Sequence, residues 1–143
     1  MNRSIVKLHN REDNSVILVD FNNVPVVDTV ELEERNCSMI YLEVYRDDMD
    51  HFFEVNETPD KIFAAYPELA KSFLKLHNAE TNLVTYVNVE FINVIDTVRC
   101  EERKCCSRIY LSENSIDAFV VNETPERIYT MIEEYYKTVP NNG

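Results

Sequence analysis

The residues with the clearest chemical potential are two aspartates that interrupt apolar alternation. Asp28 lies within the alternating segment 24–32, and Asp96 lies within a similar segment, 92–100. A carboxylate on a buried face must be hydrogen-bonded or paired. Our preferred interpretation is structural, with each carboxylate accepting a backbone amide at a bend or bulge. The alternative is that the two carboxylates come together and form a cation-binding site or the active site of a small hydrolase.

Three cysteines lie close together in the sequence, at Cys100, Cys105 and Cys106. A zinc site is disfavoured because no Cys-x-x-Cys spacing is present and no histidine is near. Disulfides are rare in a cytosolic protein, so we expect these cysteines to be reduced and free of metal. No cofactor is expected.

Two histidines, His9 and His77, occupy equivalent positions in two similar segments. A catalytic histidine needs a nucleophile or a carboxylate within hydrogen-bond reach. The only acidic residues that recur close to both in the sequence are Glu12 and Glu80. We therefore interpret the histidines as turn residues.

Glycine is nearly absent, since Gly143 at the end of the chain is the only one. Phosphate-binding loops, dinucleotide fingerprints and nucleophile elbows all need glycine within the fold. The chain is therefore predicted not to be an enzyme of those classes, and no catalytic residue is assigned. Tight turns must use Asn and Asp at positive φ instead, and we expect them at 13–14, 22–23, 47–48 and 113–114.

The charge and hydropathy of the chain limit its partners and location. The formal net charge is −12, and the basic residues are scattered, so binding to nucleic acid is disfavoured. No run of apolar residues is long enough to span a membrane, and no secretory leader is evident. We expect a cytoplasmic protein, acting in the host cytoplasm or in the virion if a phage encodes it.

A tandem repeat organises the chain. Val55-Asn56-Glu57-Thr58-Pro59 returns as Val121-Asn122-Glu123-Thr124-Pro125, and Lys7-Leu8-His9-Asn10 returns as Lys75-Leu76-His77-Asn78. Segments 5–71 and 73–137 align throughout, apart from one residue inserted near Cys105 and a shorter loop after Leu111. Such extended similarity indicates duplication of one supersecondary unit.

Each copy is predicted to contain short strands followed by one helix. In the first copy the alternation predicts strands at 4–8, 15–21, 24–33, 38–45 and 51–55, with a turn at 34–36. Thr58 and Thr124 are predicted N-caps, and Pro59 and Pro125 are predicted first helical residues. Pro67 is expected to kink or break the first helix.

These elements predict an α+β fold of two tandem repeats related by a pseudo-twofold axis. Each repeat is expected to be an antiparallel sheet of four or five short strands followed by one helix. The predicted domains are 1–72 and 73–143, packed together as one compact body, because one repeat of this size would bury too little surface alone.

Each copy resembles the small FlbD-like proteins, which are β-rich modules found with flagellar genes and in phages and mobile elements. In the second copy the resemblance rests on Leu76-His77-Asn78, on 92–98, on Ile109-Tyr110-Leu111 and on Val121-Asn122-Glu123-Thr124. The chain departs from the family in being duplicated and in lacking Asn-Gly turns. The resemblance implies a non-enzymatic module and assigns no residue role.

The sequence therefore predicts a non-enzymatic binding or assembly protein encoded by a phage or mobile element. It would be a virion accessory protein, or an inhibitor or sequestering protein that acts on a host factor. A protein partner is expected, with a homo-oligomer and a small-molecule ligand as alternatives. Candidate binding residues are Asp28, Asp96 and three aromatic residues outside the clearest core stripes, Tyr45, Phe52 and Phe91.

Overall fold

The computed structural model describes residues 4–42, 52–100, 105–111 and 118–138. Within them it combines strands with helices, which confirms the α+β class. The strands are β1 (Ile5–His9), β2 (Val16–Asp20), β3 (Val26–Leu32), β4 (Arg35–Tyr41), β5 (Phe52–Val55), β6 (Phe73–His77), β7 (Val84–Asn88), β8 (Ile92–Arg99), β9 (Cys105–Leu111) and β10 (Phe119–Val121). The helices are α1 (Pro59–Ala65), α2 (Pro67–Ala70) and α3 (Pro125–Thr138).

The described strands form three antiparallel sheets rather than one sheet for each half of the chain. Their orders are β1-β2, β10-β9-β8 and β5-β4-β3-β7-β6. The expectation of a sheet of four or five strands in each half was therefore wrong. A short 3-10 helix at Phe21–Asn23 separates β2 from β3, and another at Val89–Phe91 separates β7 from β8. In both places the chain leaves one hairpin before it enters the next sheet.

The largest sheet joins the two halves of the chain through one pair of strands. In that pair Val26 lies opposite Val87, Val27 opposite Tyr86 and Asp28 opposite Thr85. Among the described strands, β8 pairs with β9 alone and β2 with β1 alone. A twofold axis between the halves would also place β8 beside β2, so the expected pseudo-twofold arrangement was wrong.

Residues other than glycine adopt positive φ angles at three tight turns. Asn14 has a φ of 60° and Asn82 a φ of 61°, and Glu33 and Glu34 have φ of 51° and 63°. The turn predicted at 34–36 is thus a two-residue turn at 33–34, because Leu32 pairs with Arg35. Segment 22–23 is in a 3-10 helix instead of a tight turn. The turns expected at 47–48 and 113–114 lie outside the described residues.

The helices begin at threonine-proline pairs. Thr58 has an extended backbone and accepts a hydrogen bond from the Lys61 amide, with Pro59 at the first helical position. The first helix ends at Ala65, and Pro67 starts the separate helix α2, so the predicted break is present. No helix in the described part of the chain is long and apolar enough to cross a membrane.

Two hydrophobic cores lie on opposite faces of the largest sheet. The first is built mainly from residues before position 70 but also contains Phe73 and Tyr86. The second is built mainly from later residues but also contains Val26. Because Val26 and Val27 point to different cores, both faces of β3 are apolar near its start. Each core is therefore completed by residues from the other half of the chain.

Candidate functional site

The repeated histidines are bound by the glutamates of the repeated Val-Asn-Glu-Thr-Pro motif. His9 Nδ1 lies 2.6 Å from Glu57 Oε2, and the His9 amide donates to the other carboxylate oxygen at 3.1 Å. His77 and Glu123 make the same pair of contacts at 2.7 Å and 3.0 Å. The two motifs therefore fasten the end of β1 and of β6 to the start of a helix. His9 and His77 are thus the last residues of strands rather than turn residues, and their carboxylate partners, Glu57 and Glu123, are distant in the sequence.

Each His–Glu pair holds the backbone at the end of a strand through a ring contact and an amide hydrogen bond. Burial alone would raise the pKa of Glu57, but the hydrogen bonds from the His9 ring and amide outweigh it, so the pKa is lowered. Both oxygens of each carboxylate are occupied by one histidine. The asparagine before each glutamate adds a further hydrogen bond. Asn56 Nδ2 donates to Asn14 Oδ1 at 2.8 Å, and Asn122 Nδ2 donates to Asn82 Oδ1 at 2.7 Å.

Asp28 is half-buried on β3 and is held by local hydrogen bonds. Its Oδ1 accepts from the Thr29 amide at 3.0 Å. Burial raises the pKa of Asp28, against the opposing effect of hydrogen bonds from the Thr29 amide and the Thr85 hydroxyl. Burial also raises the pKa of nearby Tyr41, and the negative charge of Asp28 adds to that shift. Asp28 thus lies at the contact between β3 and β7.

Asp96 lies in a different sheet and is exposed. It is opposite Arg108 on β9, and its Oδ1 lies 3.5 Å from Arg108 Nε. The described contacts of Asp96 and of Asp28 have no residue in common, so nothing in them joins the two aspartates in one site. Two clefts, one of about 350 Å³ beside α2 and one of about 240 Å³ beside β5, are lined by neither aspartate.

The cysteines differ from the sequence expectation. Cys100 and Cys106 form a disulfide bond, with their Cα atoms 5.8 Å apart, so the expectation that they are reduced was wrong. Cys100 directly follows β8, and Cys106 is on the adjacent strand β9, which brings them within the separation a disulfide requires. Cys37 and Cys105 are free thiols. No cluster in the described part of the chain has the ligands to hold a metal ion.

The aromatic candidates occupy different environments. Phe91 is 8% exposed and belongs to the second core. Phe52 is half-buried on β5, and its ring lies 5.9 Å from that of Tyr41. Tyr45 lies outside the described residues. Phe52 therefore remains accessible in part, whereas Phe91 is a core residue.

A polar cluster lies where α1 packs on the β6–β7 hairpin. The Tyr86 hydroxyl donates to Asp60 Oδ1 at 2.6 Å, and Lys75 Nζ lies 3.2 Å from the same oxygen. The hydrogen bond from Tyr86 lowers the pKa of Asp60, and burial raises the pKa of Tyr86. Next to this cluster the Phe63 ring stacks on Tyr86 at 4.2 Å and lies 4.8 Å from Phe73. We call this contact, together with the pairing of β3 and β7, the central junction.

Two surfaces expose large apolar side chains. Ile5, Val16 and Leu18 share the outer face of the β1–β2 hairpin with Lys7, because Lys7 is opposite Leu18 in the strand register. We call these four residues the hairpin face. The second surface lies on β8 and α3, which pack against each other. It comprises Thr97, Glu126 and Tyr129, together with Val94, which lies on the other face of β8 by strand alternation, and we call it the β8–α3 surface.

Sequence reasoning missed both the His–Glu pairs and these surfaces. The pairs join residues separated by 48 and 46 positions, so no local spacing reveals them. A signal was present, since His9 and Glu57 recur together as His77 and Glu123. The surfaces were missed because the exposure of Leu18 and Tyr129 depends on which distant elements cover each face.

No family model, curated protein or solved structure matches the chain.

Proposed function

We propose that the chain is a non-enzymatic binding or assembly protein made of two tandem copies of one module, 1–72 and 73–143. The resemblance to FlbD-like modules supports an origin in a phage or mobile element. Within this class, a virion accessory protein and a protein that inhibits or sequesters a host factor remain the expected roles. A setting in the host cytoplasm or in the virion is part of the same proposal.

The observation that carries this proposal is the exposure of large apolar side chains on two defined surfaces. Leu18 is 66% exposed and Tyr129 is 63% exposed. Single exposed apolar residues are normal, but Ile5, Val16 and Leu18 share one face of a two-stranded hairpin. Aromatic and aliphatic side chains on an exposed strand face are typical of protein interfaces. A protein partner is therefore the favoured occupant.

The tandem arrangement is supported by contacts that recur at matching sequence positions. Asn10 forms a bridge with Val55, and Asn78 forms one with Val121. The two His–Glu pairs and the two threonine caps recur in the same way. Local sequence similarity would not by itself require these long-range contacts to match. We therefore infer that both copies fold as the same unit.

The alternative, a hydrolase or cation-binding protein that uses Asp28 and Asp96, has weaker support. Asp28 is at a strand pair inside the largest sheet, and Asp96 pairs with Arg108 in another sheet. A shared site would need the two carboxylates to approach each other. Their separate partners favour structural roles.

The test is co-purification of the tagged full-length chain from the cells that produce it, with three forms compared. Wild type should retain a partner at fixed stoichiometry, either another protein or further copies of the same chain. Leu18→Asp should lose that partner, because a charge replaces an exposed apolar contact. The double variant Asp28→Asn/Asp96→Asn should keep it. Absence of any partner from wild type, or loss in the double variant alone, would overturn the proposal.

A further inference from the structure

We propose that copies of this chain associate head to tail, with the hairpin face and the edge of β2 of one copy on the β8–α3 surface of the next. This inference rests on the proposed function, because it names a second copy of the chain as a partner of that binding protein. It is argued from the central junction, where the same kinds of residues already meet within one chain.

Corresponding residues of the two hairpins differ in exposure. Ile5 aligns with Phe73, and Leu18 aligns with Tyr86. Phe73 and Tyr86 are each 7% exposed because α1 covers them, whereas Ile5 is 43% and Leu18 is 66% exposed. The hairpin face thus carries apolar residues at the positions that the central junction covers in the second copy.

The opposite surface shows the same difference. Val94 aligns with Val26, and Tyr129 aligns with Phe63. Val26 and Phe63 are each 4% exposed at or beside the central junction, whereas Val94 is 49% and Tyr129 is 63% exposed. The β8–α3 surface therefore exposes the counterparts of one side of the junction, and the hairpin face exposes the counterparts of the other side.

The charges on the two surfaces also correspond. Lys75 and Asp60 form an ion pair across the central junction, with Nζ and Oδ1 3.2 Å apart. Their sequence counterparts are Lys7 on the hairpin face and Glu126 on the β8–α3 surface, and both are exposed. The charge signs are the same as in the junction, so the two surfaces of neighbouring copies would attract each other at this point.

Strand pairing completes the arrangement. Applying the register of β3 and β7 to the corresponding strands places Val94 opposite Val19, Ile95 opposite Leu18 and Asp96 opposite Ile17. Both β2 and β8 have a second edge that pairs with no strand among the described residues, and such edges accept further strands.

A side-chain hydrogen bond of the junction would also be reproduced. Thr29 Oγ1 donates to the Val84 carbonyl at 2.6 Å. The corresponding atoms are the hydroxyl of Thr97, which is exposed, and the carbonyl of Val16. The contact between copies therefore has the donor of this hydrogen bond on one copy and its acceptor on the next.

One difference makes the contact between copies weaker than the central junction. Asn88 donates its amide to the Val24 carbonyl at 3.2 Å, but the corresponding residue is Asp20, whose ionised carboxylate cannot donate. The contact between copies therefore lacks a hydrogen bond that the central junction has. Because two different surfaces meet, it leads to rings or open filaments instead of closed twofold dimers.

The test uses the purified full-length chain alone, with mass measured by light scattering or sedimentation over a wide concentration range. Wild type should form species of increasing mass. Leu18→Asp and Tyr129→Asp should each remain monomeric, because each blocks one surface. An equimolar mixture of the two variants should form a heterodimer, because Leu18→Asp keeps the β8–α3 surface and Tyr129→Asp keeps the hairpin face.

Three further variants keep the test decisive. Thr130→Asp introduces the same charge at the next position of the helix, whose sequence counterpart on α1, Ala64, is exposed instead of covered, and it should associate as wild type does. Lys7→Glu should weaken association, and mixing it with Glu126→Lys should restore it. Circular dichroism establishes that each variant is folded.

A monomeric wild type overturns the inference, and so does a mixture of the two blocked variants that stays monomeric. A monomeric wild type that still retains another protein in the co-purification leaves the proposed binding function intact. Failure of the self-association and failure of the binding function are thus separate results.

Discussion

Two aspartates on antiparallel strands differ in burial and in their partners. Asp28 and Asp96 sit in matching patterns, yet Asp28 is half-buried at the β3–β7 contact and Asp96 is exposed beside Arg108. The difference arises because β3 has a neighbour on each side and β8 has one neighbour among the described strands. Burial of a carboxylate without full compensation destabilises its charged form.

Asp28→Asn is expected to raise the free energy of unfolding at neutral pH. Because burial raises the pKa of Asp28 in the folded protein, the charged carboxylate opposes folding once the pH exceeds that pKa. The advantage of the variant should therefore shrink as the pH falls through the folded pKa toward the ordinary value. Urea unfolding of both proteins at neutral and acidic pH measures this. A variant that is less stable at neutral pH would show that the hydrogen bonds of Asp28 outweigh its burial.

Asp96→Asn is the matched control, because it makes the same substitution at the aligned position of an exposed strand. It should give no stabilisation at neutral pH, since it removes an ion pair with Arg108 instead of a buried charge.

Among the elements of the fold, the helix starts depend on hydrogen bonds between residues only three positions apart. The Thr58 hydroxyl accepts from the Lys61 amide at 3.3 Å, and the Thr124 hydroxyl accepts from the Arg127 amide at 3.2 Å. Thr58→Ala and Thr124→Ala should each lower the free energy of unfolding by about 1 kcal/mol, because an amide in the first turn loses its acceptor. Serine at either position should retain most of that stability. Urea unfolding checks both, and equal stability of the alanine and serine forms would contradict the capping role.

Sequence patterns could predict those elements that depend on neighbours along the chain. Thr58, Pro59 and Pro67 set the start and the break of a helix through contacts within a few residues. Which side of β3 faces each core could not be predicted. Val26 and Val27 are both buried, so apolar and polar residues do not alternate at the start of the strand. The partner of His9 lies 48 positions away, so its identity depends on the fold.

The whole molecule is held together by the exchange of core residues between its halves. Phe73 and Tyr86 complete the first core, and Val26 completes the second. Chains 1–71 and 72–143 produced separately should therefore lose fixed aromatic packing or associate, and mixing them should restore it. Near-ultraviolet circular dichroism, with mass measured in parallel, tests this. Two halves that are both folded and monomeric would show that the cores are independent.

The pairing of β3 with β7 also has a consequence for protein synthesis. Val27 meets Tyr86 roughly 60 residues later in the chain, so the ribosome must add that length before β3 gains its neighbour. At typical elongation rates this takes on the order of 3–12 seconds, during which β3 leaves the ribosome with one open edge. Nascent chains on one messenger RNA are close together in this interval. The β6–β7 hairpin of a leading chain could then pair with β3 of a trailing one, and the resulting intertwined products should become more abundant as ribosome loading increases.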